Sequence, residues 1–449
     1  MEKSLAGMLY TGKAALLEVV AMVALSLVAA GAARASTTFT VNQTGDLGET
    51  ILNGECDVLL PTAGHQCTLR AAIQEANVTP GKDTINFNIP GGGVNTIKPT
   101  SALPKIRDEV IIDGYSQPGA SENTLAAGTN AVLKIELNGE GRPFPGLWFL
   151  TSSSVVRGLV INRFDHIGIE IGGDDSEGNR IEGNFIGTNP AGTLDRGNLG
   201  RGVTIFSEYA SANTVGGTTP DKRNLISGND AGGVGILSDA TDNVIRGNLI
   251  GTKKDGVGAL GNVDSGVLIS SAFENTVGGT TAEAANTIAF NKGDGVSIRS
   301  DLTESTGNRI LRNSIFANID LFPDGLGIDL GDDGPTPNDP DDPDTGPNNL
   351  QNYPNLTSAV TASGSTAIEG SLNSTPNETF KVQFFSNPAS SSEGKKYIGQ
   401  KNVNTNVNGN TGTFSFSPGQ TVPDGQNITT TATDANGNTS EFAAPEEVV

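Results

Sequence analysis

The chain has 449 residues and carries 50 Asp and Glu against 28 Lys and Arg, a net charge of −22. That balance argues against nucleic acid and anionic membrane surfaces as partners. Only 35% of the residues are apolar and 59 are glycine, which is lean for one thick globular core and leaves little helix-forming sequence.

Residues 1–35 read as a secretory signal peptide. Lys3 and Lys13 precede an apolar run over 19–33, and Ala33-Arg34-Ala35 is a small-residue cleavage site before Ser36. The alternative is a retained membrane anchor. No second apolar run reaches the roughly 18 residues that a membrane span needs. The expectation is an exported protein, secreted or held at the cell surface. In that setting Cys56 and Cys67, the only cysteines, are expected to form a disulfide worth about 2–3 kcal/mol.

Residues 36–82 are expected to form an N-terminal cap. Thr37 to Val41 is a strand by composition. Leu69, Ala72, Ile73 and Ala76 then fall on one helical face, with Thr68 as the N-cap and Asn77 as the stop. This is the single convincing helix, and it is assigned as the N-terminal lid over the core of the repeat region.

Residues 83–330 are organised by a repeat. Gly-Asn-Phe/Leu-Ile-Gly-Thr occurs at 183–188 and 247–252, and Asn-Thr-Val-Gly-Gly at 213–217 and 275–279. A Gly-Val/Ile-x-Ile/Leu tetrad starts at Gly168, Gly202, Gly233, Gly266, Gly295 and Gly327, in steps of 29 to 34 residues. Each tetrad is a short β-branched strand, and no sustained 3.6-residue pattern separates them. Earlier strands are expected at 84–89, 109–113 and 132–137, and a compact coil at 146–168. Short strands at a fixed period without crossover helices define a parallel β-helix, whose coils stack into one thin core. Asn179, Asn213, Asn224, Asn243, Asn275, Asn286 and Asn308 recur at segment ends, where side-chain amides can bond from coil to coil.

Residues 331–353 are dense in Asp and Pro and read as an acidic linker. Residues 354–449 show short alternating runs at 367–372, 379–385, 413–416 and 427–433, expected to form a β-sandwich of immunoglobulin-like form. The fold class is therefore all-β: a parallel β-helix with an N-terminal capping helix and a C-terminal β-sandwich.

The segment Cys67-Thr68-Leu69-Arg70-Ala71-Ala72 resembles the CSLREA motif that opens a family of exported bacterial right-handed β-helix proteins. Thr68 stands for its Ser and Ala71 for its Glu. Asp83-Thr84-Ile85-Asn86-Phe87, Ile112-Asp113-Gly114-Tyr115, the Asn-Thr-Val-Gly-Gly repeats and the stretch 432–442 are similar to the same family. The resemblance implies a right-handed coil, a fold shared with pectate-lyase-like enzymes and with non-enzymatic surface proteins. It assigns no catalytic residue.

Several groups are candidates for chemistry. Asp174-Asp175 is a carboxylate pair, read as a solvated turn. His166 beside Asp165 is read as a surface histidine, because adjacent strand residues face opposite ways. Lys253-Lys254 and Asp221-Lys222-Arg223 are basic loops that could meet an acidic polysaccharide. Trp148 and Phe149 offer a sugar-stacking surface, with at least one expected in the core. The acidic loop from Asp329 to Asp344 is read as a Pro-stiffened linker. Its alternative is a Ca²⁺ site, with Asp332, Asp333, Asp339 and Asp341 as the ligands to test. The leading expectation is a non-catalytic rod that binds a polysaccharide or a cell-surface protein, or is purely structural. The alternative is a polysaccharide lyase or glycoside hydrolase, on the analogy of fold alone.

Overall fold

The computed structural model describes residues 36–59, 64–318, 325–389 and 391–449, so the expected signal peptide lies outside the described residues. Three all-parallel sheets run along one rod. Sheet 1 has nine strands, beginning with Thr38–Val41 and ending with Arg309–Leu311. Sheet 2 has eight, from Asn95–Ile97 to Ser314–Phe316. Sheet 3 has seven, from Leu147–Phe149 through Ile169–Gly172, Val203–Phe206, Val234–Leu237, Val267–Ser270 and Val296–Arg299 to Ile328–Leu330. The chain visits the sheets in turn and coils into a right-handed parallel β-helix.

The tetrads are the strands of sheet 3. Their second and fourth residues point inward, so Ile171, Ile205, Ile236, Ile269, Ile298 and Leu330 stack on one another in register. Val156, Ile181, Val215 and Ile245 do the same in sheet 1, and Ile161, Ile186, Ile226 and Ile250 in sheet 2. All are almost fully buried, each worth about 1.5–3 kcal/mol over its exposed form.

Asparagine ladders hold the corners. Asn179, Asn213, Asn243, Asn275 and Asn308 form one, each side-chain amide donating to the next Oδ1 at 2.9–3.2 Å. Asn184, Asn224, Asn248, Asn286 and Asn313 form a second at 2.9–3.3 Å. A third, absent from the sequence-based expectation, joins Asn198, Asn229, Asn262, Asn291 and Asn318 at 2.8–2.9 Å. Most of these amides also donate to backbone carbonyls within the rod, so side chains that would be costly to bury alone are satisfied.

The two ends close differently. At the N-terminal end the helix Leu69–Ala76 packs Leu69, Ala72, Ile73 and Ala76 into the rod core, with Thr68 accepting from the Ala71 amide at 3.1 Å. The Cys56–Cys67 disulfide ties the preceding loop to its start. At the C-terminal end the antiparallel sheets of the sandwich lie against the last coil. One contains Asn355–Ala362, Ser365–Ser371 and Phe414–Phe416, the other Thr379–Asn387, Lys396–Asn404, Asn427–Thr433 and Glu446–Glu447. Their own core centres on Ile368, Phe380, Val382, Phe384, Phe414 and Ile428.

The sandwich supplies what a further coil would have supplied. Glu393 Oε1 accepts from Asn318 Nδ2 at 3.1 Å and ends the third ladder. Glu441 Oε1 accepts from the Leu330 amide at 3.1 Å at the end of sheet 3. Burial pushes the Glu441 carboxyl up to about 7. Among the described residues no helix is long and apolar enough to cross a membrane.

Candidate functional site

Every coil presents one outward residue or more on each sheet, so the chemistry of a face is built rung by rung. The middle of the outward row of sheet 2 is Val160, Phe185, Leu225 and Leu249, in direct register between Glu136 and Thr287. These apolar residues form a second cluster with Ala131 and Leu133, which covers them with the loop preceding strand Ile135–Arg142. Arg223 pins that loop, donating to the carbonyls of Leu125, Ala126 and Gly128 at 2.8–2.9 Å. Lys222 pairs with Glu182 at 3.4 Å, and the Lys254 carbonyl accepts from the Thr129 amide at 2.7 Å. Arg223 of the basic loops is thus engaged inside the molecule.

The outward row of sheet 3 is different. It reads Trp148, Glu170, Thr204, Gly235, Leu268, Ser297 and Asp329 in register. At its N-terminal end lies a cleft of about 370 Å³ lined by Leu103, Lys105, Phe144, Trp148, His166 and Glu170 among others. Phe149 points into the core at 1% exposed, while Trp148 faces outward. The Lys105 ammonium sits 3.3 Å from the centroid of the Trp148 ring, a close cation–π contact. His166 Nδ1 lies 3.9 Å from Glu170 Oε2. Burial raises the pKa of the Glu170 carboxyl, opposed by the nearby His166 and Lys105. Trp148 Nε1 and Glu170 Oε2 are both buried without a hydrogen-bond partner.

The carboxylate beside His166 is thus Glu170, four residues on, and not Asp165. The chain turns between them to begin a strand of sheet 3, which brings both onto one side. Lys105 and Phe144 come from separate segments, so spacing along the chain offered no sign of them. Asp174 and Asp175 lie exposed in the turn after the Glu170 strand, where the Asp175 carbonyl accepts from Ser152 Oγ.

The acidic loop divides into two groups. Asp332 pairs with Arg299 at 2.8 Å, and Asp333 is exposed. Asp329 is buried and accepts from the Asp332 and Gly334 amides, closing a turn. Asp341 contacts Asn373. Asp339, however, meets Asp342 and Asp344, with one oxygen of each within 4.8 Å of the others. Burial pushes the Asp342 carboxyl up to about 6, and the Asp344 carboxyl is raised for the same reason. Asp339 Oδ1 and Asp344 Oδ1 are buried without a partner. Asp342 already accepts from Gln351, Ser374 and the Asn352 amide, so two of the three half-buried carboxylates have a spare oxygen, a donor set that a hard cation could use.

The fold defines a right-handed parallel β-helix protein. No protein-family model matches the chain, and no curated protein matches it. Among solved structures it is similar to the periplasmic alginate epimerase AlgG in a mutant form, at 15% identity and a TM-score of 0.31 over 53% of this chain and 56% of that one. It is also similar to the enzymatically active domain of tailspike protein 2 of bacteriophage CBA120, at 11% identity and a TM-score of 0.26 over 91% of this chain and 66% of that one. The chain spans little more than half the length of the epimerase. At these identities and scores the likeness carries no argument about activity.

Proposed function

We propose that this is an exported protein of the CSLREA-type β-helix group that holds a polysaccharide along the outer face of sheet 3, anchored in the Trp148 cleft. The observation that carries the reading is the cleft itself: the Phe144 and Trp148 rings stand beside Trp148 Nε1 and Glu170 Oε2, which are buried without a hydrogen-bond partner. A pyranose ring has an apolar face edged with hydroxyls, so it needs an aromatic surface flanked by free donors and acceptors. The apolar run over 19–33 and the disulfide support export.

The test is affinity electrophoresis and calorimetry of the purified protein on a panel of acidic and neutral polysaccharides, with turnover followed in parallel. The expected result is saturable binding without turnover, weakened at least tenfold in Trp148→Ala, about 1.4 kcal/mol. Absence of binding across the panel overturns the reading. A catalytic alternative draws on one feature, the Glu170 carboxyl with a raised pKa beside His166, which suits a general acid. Glycoside hydrolysis ordinarily uses two carboxyls, and among the described lining residues Glu170 is the one carboxylate. Turnover lost in Glu170→Gln would favour the alternative.

A second proposal concerns Ca²⁺. Of the loop residues singled out from sequence (Asp332, Asp333, Asp339 and Asp341), Asp339 is the one joined by further carboxylates, from Asp342 and Asp344. Ca²⁺ there would relieve the repulsion among the three. A melting temperature raised by Ca²⁺, reversed by chelator and unresponsive in Asp342→Asn, is the expected result; no response in the wild type overturns it.

A further inference from the structure

We infer that Arg201 and Thr204 form an anion subsite on the outer face of sheet 3, one coil beyond Glu170, that takes a carboxylate or sulfate carried by a polysaccharide. The inference rests on the reading of this face as the polysaccharide site and adds the charge class of the ligand.

Arg201 precedes strand Val203–Phe206, and its side chain lies across the next coil over Gly235. A Cβ on Gly235 would stand 2.8 Å from Arg201 Cδ and 3.2 Å from Nε, so the glycine is what leaves room for the guanidinium stem. Gly232 borders the same trough, with its Cβ position 3.7 Å from Nε. The side chain is half-buried, yet no carboxylate reaches it within ion-pair distance, and its Nε is buried without a partner. Thr204 Oγ1, on the outward row between Glu170 and Gly235, is also buried and unpaired.

Arg246 on sheet 1 shares the unpartnered Nε but lies on another face, and several other half-buried arginines of the rod are paired. Arg70 meets Asp46 at 2.9 Å, Arg157 meets Asp113 at 2.7 Å and Arg299 meets Asp332 at 2.8 Å. Arg223 is spent on four carbonyls. A guanidinium is always charged, and burying one without a partner is costly. Its planar donors suit a carboxylate or a sulfate oxygen pair, and the Thr204 hydroxyl can add a donor. Asp264 attracts Arg201 and Arg299 repels it, both from beyond contact. Lys105 lies on the same face, in the cleft that Glu170 also lines. At physiological salt the Debye length is about 8 Å, and the local charges decide contact affinity.

The experiment measures binding of the purified protein, at physiological salt, to polygalacturonate, its methyl-esterified form and a sulfated galactan. Wild type, Arg201→Gln, Arg201→Lys and Trp148→Ala are compared, with circular dichroism and melting temperature as folding controls. The expected result is a preference for one or both anionic polymers over the ester, reduced about tenfold or more in Arg201→Gln, partly restored in Arg201→Lys, with ester binding unchanged. The carboxylate and sulfate arms show which group the subsite takes. Equal binding of ester and anionic polymers, or an Arg201→Gln protein that still discriminates, overturns the anion subsite while leaving the Trp148 cleft standing. A wild type that binds none of the three, with no other polysaccharide of the wider panel bound, overturns both.

Discussion

Sheets 2 and 3 run side by side along the same rod, built by the same coils, and their outer faces have opposite fates. On sheet 2 the outward residues Val160, Phe185, Leu225 and Leu249 make an apolar stripe, and the chain covers it with its own loop. On sheet 3 the outward row mixes Trp148, Glu170, Thr204 and Ser297, and Trp148 Nε1, Glu170 Oε2 and Thr204 Oγ1 are buried without hydrogen-bond partners. An apolar stripe gains free energy from any lid that excludes water. Buried polar atoms without hydrogen-bond partners cost about 1–3 kcal/mol each, a cost that a ligand bonding to them recovers. On the proposed reading, a solenoid with one uniform core dedicates one face to stability and another to binding.

The largest effect should come from breaking the covered face. Phe185→Ala removes a fully buried ring from between sheet 2 and its lid. It should cost about 3–5 kcal/mol in chemical denaturation, with polysaccharide affinity held in the fraction that remains folded. Trp148→Ala should reverse the pattern: affinity falls at least tenfold while the melting point moves far less than in Phe185→Ala, because Trp148 is only partly covered. Equal destabilisation by the two substitutions would erase the distinction between the faces.

Arg223→Gln should be milder. It removes the donors that hold Leu125, Ala126 and Gly128, at about 1.5–3 kcal/mol for charge-assisted bonds. Limited proteolysis should then cut within 117–131 before any other part of the rod. The smallest effect belongs to Glu170. Burial raises its carboxyl pKa, so the folded protein holds that proton more tightly than the unfolded chain. Its ionisation therefore costs stability as pH rises above the ordinary Glu value of about 4.3, and the cost vanishes in acid. Glu170→Gln should raise the melting temperature slightly at neutral pH and leave it unchanged in acid. A wild type that loses ground to Glu170→Gln as the pH falls would contradict the sign.

Much of the candidate site was hidden for a definable reason. That Trp148 and Phe149 face opposite ways follows from strand alternation; that Phe149 is the inward one was decided by the structure. Glu170 is 22 residues from Trp148 along the chain, and it becomes a neighbour only through the register of a compact coil. Lys105 and Phe144 reach the cleft from segments without repeat signal. The cation candidate shows the same limit: the acidic loop was visible as composition, but which carboxylates converge on Asp339 depends on the backbone path that brings Asp342 and Asp344 to it.

The sequence by itself determined the β-helix, because a solenoid writes its period into the chain. The Gly-led tetrads are the strands of sheet 3, and Asn179, Asn213, Asn243, Asn275 and Asn308 form a ladder where their spacing put them. The capping helix and the Cys56–Cys67 bond were equally local. Only the tertiary structure decided which face is covered, that Arg223 is spent on a lid while Arg201 is left unpaired, and that Glu393 and Glu441 of the sandwich finish the rod. Core periodicity is fixed by neighbours within one strand. Face chemistry depends on loops of unequal length folding back across the coils, and nothing in a local pattern specifies where they land.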